Sequence, residues 1–268
     1  DKGRCLYTNE AIEPGQVVFV EKPCLLALPG SSRNLWNHLA ELHTATPLQL
    51  GAVRFYFGAL LSELRLDQPS IDIMLDKFVL DPDEEPGDDV VRIMQSLEEN
   101  KELKEELKLD KKPIDQSRLQ RLVSVWQYNA FSHHKDDGVQ LYDHVSRCSH
   151  SCDPACFFAI GENGALVLRS RAWLKKGDEL TISYLADDDV PKHTAIRQQK
   201  LQHSWHFKCA CSRCKLYVEE CRGFRCRGCS VGVWHANTAN ILEPCRVCNS
   251  VPSQDMTQKL IRDEKKYV

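Results

Sequence analysis

The sequence predicts an α+β fold, mainly β, in which a helical insertion separates two β-rich parts. Three observations lead to this prediction: short β-branched runs between turn signals, residues at helical spacing in the middle of the chain, and cysteine clusters at zinc-ligand spacing after the second β-rich part. The chain has 268 residues, of which 42% are hydrophobic, so it can build one large domain and a small appendage. The predicted order is therefore β, then α, then β, then zinc.

The first β-rich part is predicted to cover residues 1–30. The β-branched run VVFV occupies residues 17–20, and the turn signal EPG precedes it at residues 13–15. Short runs that alternate with turn signals are typical of paired short strands. We therefore expect the N-terminal strands of the fold here.

The insertion is predicted to cover residues 31–125 and to be helical. Two groups of residues recur at helical intervals: Trp36, Leu39, Ala40 and His43, then Phe55, Leu60, Leu61 and Leu64. Between these groups, Thr46 and Pro47 predict an N-cap followed by a proline at the first helical position. The apolar face of the second group is interpreted as core packing rather than as a ligand pocket.

The segment DPDEEPGDD at residues 81–89 is predicted to be a solvated loop. It combines two prolines, a glycine and acidic side chains, which favour neither a helix nor a packed core. A binding site for a basic peptide is the alternative. Residues 98–112 alternate in charge sign, which indicates an exposed helix end.

The second β-rich part is predicted to cover residues 126–207. Residues 164–172 and 179–184 have strand character, and the KKGD sequence at residues 175–178 forms the turn between them. Arg197, Leu201 and Trp205 follow at helical spacing. A helix is therefore expected to lead into the cysteine-rich segment.

A first zinc site is predicted at the segment 208–220. Three of its thiolates come from Cys209, Cys211 and Cys214. A closed tetrahedral zinc site requires four ligands, and Cys152 is the candidate for the fourth. A chain folded in this way would bring the turn at His150, Tyr184 and the metal to one place.

A second zinc site is predicted within residues 221–250. Its ligands are Cys226, Cys229, Cys245 and Cys248. Two CxxC knuckles at this separation are typical of a zinc ribbon. Apolar residues beside the knuckles would form a small hairpin with an apolar patch: Phe224, Val231, Val233 and Trp234. Two roles of the ribbon remain open: it could only stabilise the domain, or it could bind a partner protein. Nucleic-acid binding is disfavoured, because four arginines are few for it.

Residues 251–268 are predicted to start a C-terminal helical region.

Four separated segments carry a resemblance to a known family. They are KGRCL at residues 2–6 with IxxGxVVF at 12–19, NAF at 129–131, SHSCDPAC at 149–156 with KKGDELTISY at 175–184, and RQQKLQHSWHFKCACSRC at 197–214. On these segments the chain resembles the SET-domain protein lysine methyltransferases, closest to their SMYD-like branch. No Cys/His array of a MYND zinc finger occurs between Cys24 and Cys148, so the chain is placed beside that branch. The apical complex lysine methyltransferases of apicomplexan parasites share such a plan.

The resemblance implies a fold, an activity and a set of site residues. The fold would be a SET fold of short β-sheets with a threaded C-terminal segment and a zinc-binding post-SET segment. The activity would be S-adenosylmethionine-dependent methyl transfer to a lysine amine of a histone or non-histone protein. Tyr184 would be catalytic, and Phe131 and Trp205 would line the lysine channel. The implied cofactor-binding residues are Lys2, Arg4, Asn129, Ser149, His150, Tyr184 and Phe207. With the two cysteine clusters, the expected cofactors are S-adenosylmethionine and two Zn²⁺ ions.

The chain departs from the family pattern at four positions. Ser149 and Ala155 stand where the family motif has asparagine, Cys5 replaces a small glycine near the cofactor, and Trp205 replaces a tyrosine of the lysine channel. These departures motivate an alternative function, a catalytically weakened SET-like zinc scaffold that acts as a protein-binding module. The hydroxyl of Tyr184 favours the enzyme, because a scaffold has no need of it.

Composition and charge narrow the function classes further. The formal net charge is -3 and the pI is about 6.4, so no global electrostatic argument favours nucleic acid or an anionic membrane. No apolar run approaches the length of a bilayer, and no signal-peptide pattern begins the chain. Eight of its 13 cysteines belong to the two clusters at metal-ligand spacing, which indicates reduced thiolates and an intracellular protein, cytoplasmic or nuclear. Because the sequence starts inside the KGR element, an excised domain is expected. The sequence predicts no oligomeric state.

Overall fold

The computed structural model describes residues 4–49, 53–78, 85–133 and 136–264. Lys2, predicted to bind the cofactor, lies outside these residues. The strands are β1 (Val17–Glu21), β2 (Leu25–Ala27), β3 (Phe131–Ser132), β4 (Val139–Leu141), β5 (Ser149–His150), β6 (Cys156–Ile160), β7 (Leu166–Ser170), β8 (Thr181–Ile182), β9 (Val218–Arg225) and β10 (Val233–Asn237). The helices are α1 (Arg33–Ala45), α2 (Val53–Arg65), α3 (Gln68–Lys77), α4 (Asp88–Glu99), α5 (Lys101–Glu106), α6 (Gln116–Asn129), α7 (Thr194–Trp205) and α8 (Gln254–Glu264).

The chain divides into two compact units. The first consists of Asp1–Ser149 and Cys156–Leu180, and the second of His150–Ala155 and Thr181–Val268. The first unit holds short sheets and the helical insertion, and the second holds the cysteine clusters. The prediction of short β-sheets with a helical insertion is confirmed, while the threading of the C-terminal segment stays a prediction.

Helices α2 and α6 form the centre of the insertion. Leu119, Leu122 and Trp126 of α6 are buried in the same apolar cluster as Phe57 and Leu60 of α2. The two helices approach so closely that a Cβ atom on Gly58 would lie 2.6 Å from Cδ2 of Trp126. The indole Nε1 donates a hydrogen bond to Ser62 Oγ at 3.0 Å, so the buried ring is also satisfied as a donor.

The predicted N-cap at Thr46 is wrong. Helix α1 ends at Ala45, and Thr46 is its C-cap, with an extended backbone (φ -147°, ψ 111°) and its N–H donating to Leu42 O. The ring of Pro47 disfavours helical geometry at the residue before it, so the chain leaves the helix here. A Thr-Pro pair can end one helix as readily as it can begin the next.

The acidic segment also differs from its prediction. Its last two residues, Asp88 and Asp89, form the first turn of α4, where negative charge is favourable. Asp89 is buried, and its Oδ2 accepts hydrogen bonds from Tyr56 Oη at 2.8 Å and from the Gln49 N–H at 2.6 Å. Residues 81–84 lie outside the described residues. The end of this segment therefore helps to hold the helical core together.

The strands of the first unit form two small sheets. Strand β7 lies between β1 and β6 in one antiparallel sheet, and β4 lies between β2 and β3 in the other. Leu166 and Leu168 of β7 are fully buried, so one face of the first sheet packs into the interior. The predicted turn at residues 175–178 is present, with Gly177 in the left-handed region at φ +90°.

The second unit contains a β-ribbon followed by a helix. Strands β9 and β10 pair antiparallel, and Trp234, Ala236 and Leu242 are buried between the ribbon and α8. The Arg222 guanidinium donates to both carboxylate oxygens of Glu264, at 2.8 and 2.6 Å, and so ties α8 to the ribbon. Every helix among the described residues is too short or too polar to span a bilayer.

Candidate functional site

The turn after β5 is held by its own polar groups. The Ser151 hydroxyl accepts a hydrogen bond from the Asp153 N–H at 3.1 Å and donates one to Asp153 O at 2.9 Å. The Ser151 N–H donates to Ile182 O at 3.0 Å, and the Ala155 N–H donates to Thr181 Oγ1 at 2.8 Å. These bonds fix the turn at His150 against the segment that ends in Tyr184.

Three aromatic side chains of the second unit pack around the ring of Tyr184. Its ring centroid lies 5.3 Å from that of His150, 5.5 Å from Trp205 and 6.4 Å from Phe207, and the last contact is edge-to-face at 88°. Helix α7 ends at Trp205, and its C-cap His206 has a left-handed backbone (φ 56°), so that Trp205 and Phe207 both reach the tyrosine ring. The structure thus brings together the four predicted aromatic site residues of this unit: His150, Tyr184, Trp205 and Phe207.

His150 joins Tyr184 to the first cysteine cluster, formed by Cys152, Cys209, Cys211 and Cys214. The Tyr184 N–H donates to His150 Nδ1 at 3.0 Å. On the other side of the imidazole, Nε2 lies 3.3 Å from Cys152 Sγ. One side chain therefore contacts both the backbone of Tyr184 and a sulfur of the cluster.

The four sulfur atoms of the first cysteine cluster fit a zinc ion. They all lie within 4.8 Å of one another, and those of Cys152 and Cys214 are 3.5 Å apart. Zn–S bonds of about 2.3 Å in a tetrahedron need sulfur separations of about 3.8 Å. Hydrogen bonding from Cys152 lowers the pKa of the Cys209 thiol, and it lowers that of Cys211 to about 5. The donor set and its spacing suit a structural zinc site.

Two arginines and a glutamine support this cluster. Arg197 is 1% exposed, and its Nη2 donates to Thr194 Oγ1 at 2.9 Å and lies 3.7 Å from Cys214 Sγ. Arg213 Nη1 donates to Cys152 O at 3.0 Å, and the Gln198 amide exchanges two hydrogen bonds with the Cys209 backbone. Sequence reasoning missed these roles. The available signal was a charged residue, Arg197, in the same helical stripe as the apolar Leu201 and Trp205.

The second cysteine cluster has the geometry of paired zinc knuckles. It consists of Cys226, Cys229, Cys245 and Cys248. Its sulfur atoms are 3.7 Å apart for Cys226 and Cys248 and 3.8 Å apart for Cys229 and Cys245. Backbone N–H groups point at three of the sulfurs, among them that of Gly228 at 3.3 Å from Cys226 Sγ. Such N–H groups stabilise thiolates, so this cluster also suits zinc.

The other predicted site residues belong to the first unit and contact separate neighbours there. Arg4 Nη1 donates to Lys77 O, and Asn129 Nδ2 donates to Val125 O of its own helix, each at 3.0 Å. Phe131 packs edge-to-face against two other rings, at 5.4 Å from Tyr142 and 5.2 Å from Phe158. The Ser149 hydroxyl donates to a carboxylate oxygen of Glu179.

Comparison with known proteins identifies the family. The SET domain family model matches residues 3–185, which is more than half of the chain. The histone-lysine N-methyltransferase SMYD3 of Mus musculus is 40% identical over 79 residues, or 29% of this chain and 17% of that protein. A SET domain-containing protein of Dictyostelium discoideum is 37% identical over 82 residues, or 31% of this chain and 19% of that protein.

Solved SET-domain structures are also similar to the chain. The SET domain of LSMT bound to MeLysine and AdoHcy matches with a TM-score of 0.46 and 13% sequence identity, and it covers 90% of this chain and 61% of that one. The matched segments span less than a fifth of the length of these two curated relatives.

Proposed function

Because the chain belongs to the SET-domain family, we propose that it is an S-adenosylmethionine-dependent protein lysine N-methyltransferase. The observation that carries this proposal is the aromatic cluster at Tyr184, which is joined to a cysteine cluster through His150. The names of relatives such as SMYD3, a histone-lysine N-methyltransferase, support a lysine-containing protein as substrate. A histone substrate would fit the expected intracellular, cytoplasmic or nuclear, location.

The chemistry gives the aromatic cluster its role. A lysine amine has a pKa of about 10.4 in water, so it must lose a proton before its lone pair can attack. Rings around the amine disfavour its charged form, because they replace water with weakly polar surface. In this proposal Trp205 and Tyr184 flank the lysine side chain, and the Tyr184 hydroxyl orients the neutral nitrogen for in-line attack.

The cofactor would be held by aromatic and polar groups. When bound, S-adenosylmethionine supplies a methyl carbon whose bond to sulfur breaks as its bond to the lysine nitrogen forms. We propose that Phe207 covers the adenine ring and that the backbone of His150 hydrogen-bonds to that base. Ser149, Asn129, Arg4 and Lys2 are the proposed polar contacts to the remainder of the cofactor. Each cysteine cluster is proposed to hold one Zn²⁺ ion in a closed, structural site.

Methyl transfer to a mixture of core histones, followed by mass spectrometry, tests the proposed activity. We expect lysine methylation by the wild-type protein and a rate about 10²-fold lower for Tyr184→Phe, which keeps the ring but removes the orienting hydroxyl. Tyr7→Phe is the matched control, because Tyr7 is 61% exposed and lies in the first unit. Equal rates for Tyr184→Phe and the wild type would contradict the catalytic role.

The zinc scaffold without turnover is the second candidate. The Ser149 hydroxyl is already bonded to Glu179, and Ala155 offers only its backbone N–H, which is bonded to Thr181. Both observations favour a turn that is stabilised within the protein rather than by a cofactor. A folded, metal-replete protein that binds no S-adenosylmethionine would support the scaffold.

A further inference from the structure

The imidazole of His150 lies between two groups with different chemistry. Its Nδ1 is 3.0 Å from the backbone nitrogen of Tyr184, and its Nε2 is 3.3 Å from Cys152 Sγ. The residue sits two positions before Cys152, in the turn whose Ser151 N–H is bonded to Ile182 O. Both contacts of the ring lie within the second unit.

The two contacts fix the tautomer of the ring. A backbone N–H can only donate, so Nδ1 must accept with its lone pair and carries no proton. In the neutral imidazole the proton then lies on Nε2, which faces the sulfur of Cys152. Because a zinc-bound cysteine is a thiolate, it accepts this hydrogen bond strongly.

We propose that His150 is a positioning residue that couples the first cysteine cluster to Tyr184. Its Nε2–H donates to the Cys152 thiolate, and its Nδ1 accepts a hydrogen bond from the Tyr184 N–H. A metal site that fixes Cys152 therefore also fixes the imidazole and, through it, the backbone of Tyr184. Hydrogen-bonding partners of metal ligands hold those ligands in orientation, and their loss typically weakens metal binding or activity 10- to 100-fold. The kinetic consequence rests on the proposed methyltransferase function, whereas the two hydrogen bonds do not.

Two substitutions each remove one of the two hydrogen bonds of His150 and keep the other. An asparagine side chain places its amide oxygen where Nδ1 lies, and a glutamine side chain places its amide nitrogen where Nε2 lies. His150→Asn should therefore keep the bond from the Tyr184 N–H and lose the bond to sulfur. His150→Gln should keep the bond to sulfur and lose the acceptor for Tyr184. His203→Asn is the matched control, because His203 is exposed on α7.

Two measurements report on the two hydrogen bonds of His150, and neither requires enzymatic activity. The sulfur-to-metal charge-transfer band of the cobalt-substituted protein reports on hydrogen bonding to thiolates, and difference spectra against the wild type cancel the second cysteine cluster. Hydrogen exchange of the Tyr184 amide, observed by NMR with ¹⁵N-tyrosine, reports on the other bond. We expect His150→Asn to shift the band and weaken zinc binding about 10-fold or more. We expect His150→Gln to speed Tyr184 amide exchange at least about 10-fold.

A band unshifted by His150→Asn, or an exchange rate unchanged by His150→Gln, would overturn the proposal. Should a variant fail to fold, ¹⁵N chemical shifts of the imidazole in the wild-type protein decide the same point: a proton on Nε2 is expected, and a proton on Nδ1 would overturn it. In an active enzyme both variants should lower kcat about 10-fold or more while His203→Asn does not. If both variants show the expected band shift and amide exchange but the protein binds no S-adenosylmethionine, the proposed methyltransferase function is refuted and the coupling through His150 still holds.

Discussion

At the residue scale, the first cysteine cluster is supported by the polar side chains of Arg197, which is buried, and His150. Four thiolates around one zinc ion carry a net charge of -2, which is costly to bury without compensation. Arg197 supplies a buried positive charge 3.7 Å from Cys214 Sγ, and His150 is 3.3 Å from Cys152 Sγ. Opposite charge and hydrogen-bond donors at this range offset the cost of holding thiolates in this partly buried cluster.

Replacing the guanidinium of Arg197 should weaken zinc binding at the first cysteine cluster. We expect Arg197→Met to lower the zinc affinity of this site about 10-fold or more, because one donor and one compensating charge are lost. Arg197→Lys should lie between Met and wild type, since it keeps the charge without the planar fork of donors. Transfer of zinc to a chromophoric chelator measures the affinity. Arg227→Met, an exposed change in the ribbon, is the control, and equal affinity for Arg197→Met and the control would refute the compensating role.

The same residues show what could be predicted from sequence. Cys152 could be predicted as a candidate ligand because a closed zinc site needs four ligands and the later segment supplies only three. The structure places its sulfur with the sulfur atoms of the other three cysteines. Arg197 could be placed on a helix but not against a thiolate, because helical spacing says which face a residue shares and not what covers that face. The sequence also predicts that the turn at His150, Tyr184 and the metal come to one place, but it cannot predict which imidazole nitrogen contacts which partner, since that depends on how two separate segments fold together.

At the element scale, helix boundaries depend on local competition that spacing does not resolve. Thr46 became the end of α1 because Pro47 constrains it, and Asp88 and Asp89 joined α4 because a helix N-terminus favours negative charge. The strands and helices that the sequence placed by long periodic patterns are present. The misplaced boundaries are those at which a single residue serves equally well as a start, a stop or a loop.

The tight contact between α2 and α6 predicts the effect of one methyl group. Gly58→Ala would add a Cβ atom 2.6 Å from Trp126, and the ring cannot move easily because it is buried and hydrogen-bonded to Ser62. Overpacking costs about 1–3 kcal/mol and outweighs the gain in helix propensity of about 1 kcal/mol. We expect a lower midpoint in urea unfolding. Gly30→Ala, where no atom lies within 4 Å, should change stability by less than about 0.5 kcal/mol, and equal midpoints for both variants would contradict the contact.

At the scale of the whole molecule, the family match and the metal clusters cover different parts of the chain. The SET domain match ends at residue 185, whereas Trp205, Phe207 and seven of the eight clustered cysteines follow it. The family match therefore includes Tyr184 and the turn at His150. The cysteine clusters indicate that the segments after residue 185 are organised around metal ions. The ribbon core is small and is bounded by Cys226 and Cys245, so its folding should depend on metal.

Metal content should separate the two cysteine clusters. We expect two zinc ions per chain in the wild-type protein, because each cluster offers four sulfur atoms within 4.8 Å of one another. Cys152→Ser should remove the first ion and Cys226→Ser the second, each leaving about one zinc per chain by elemental analysis. Cys24→Ser is the control, since Cys24 is exposed and belongs to neither cluster. Two tightly held zinc ions in Cys152→Ser would show that Cys152 is not a ligand.

Calorimetric titration of the zinc-loaded protein with S-adenosylmethionine decides between the enzyme and the scaffold, because the proposed lysine methyl transfer requires that complex. We expect one site per chain with a dissociation constant of about 1 μM or tighter, which corresponds to about -8 kcal/mol. Protein that is folded and contains its zinc but shows no binding would contradict the proposed methyltransferase and support the zinc scaffold.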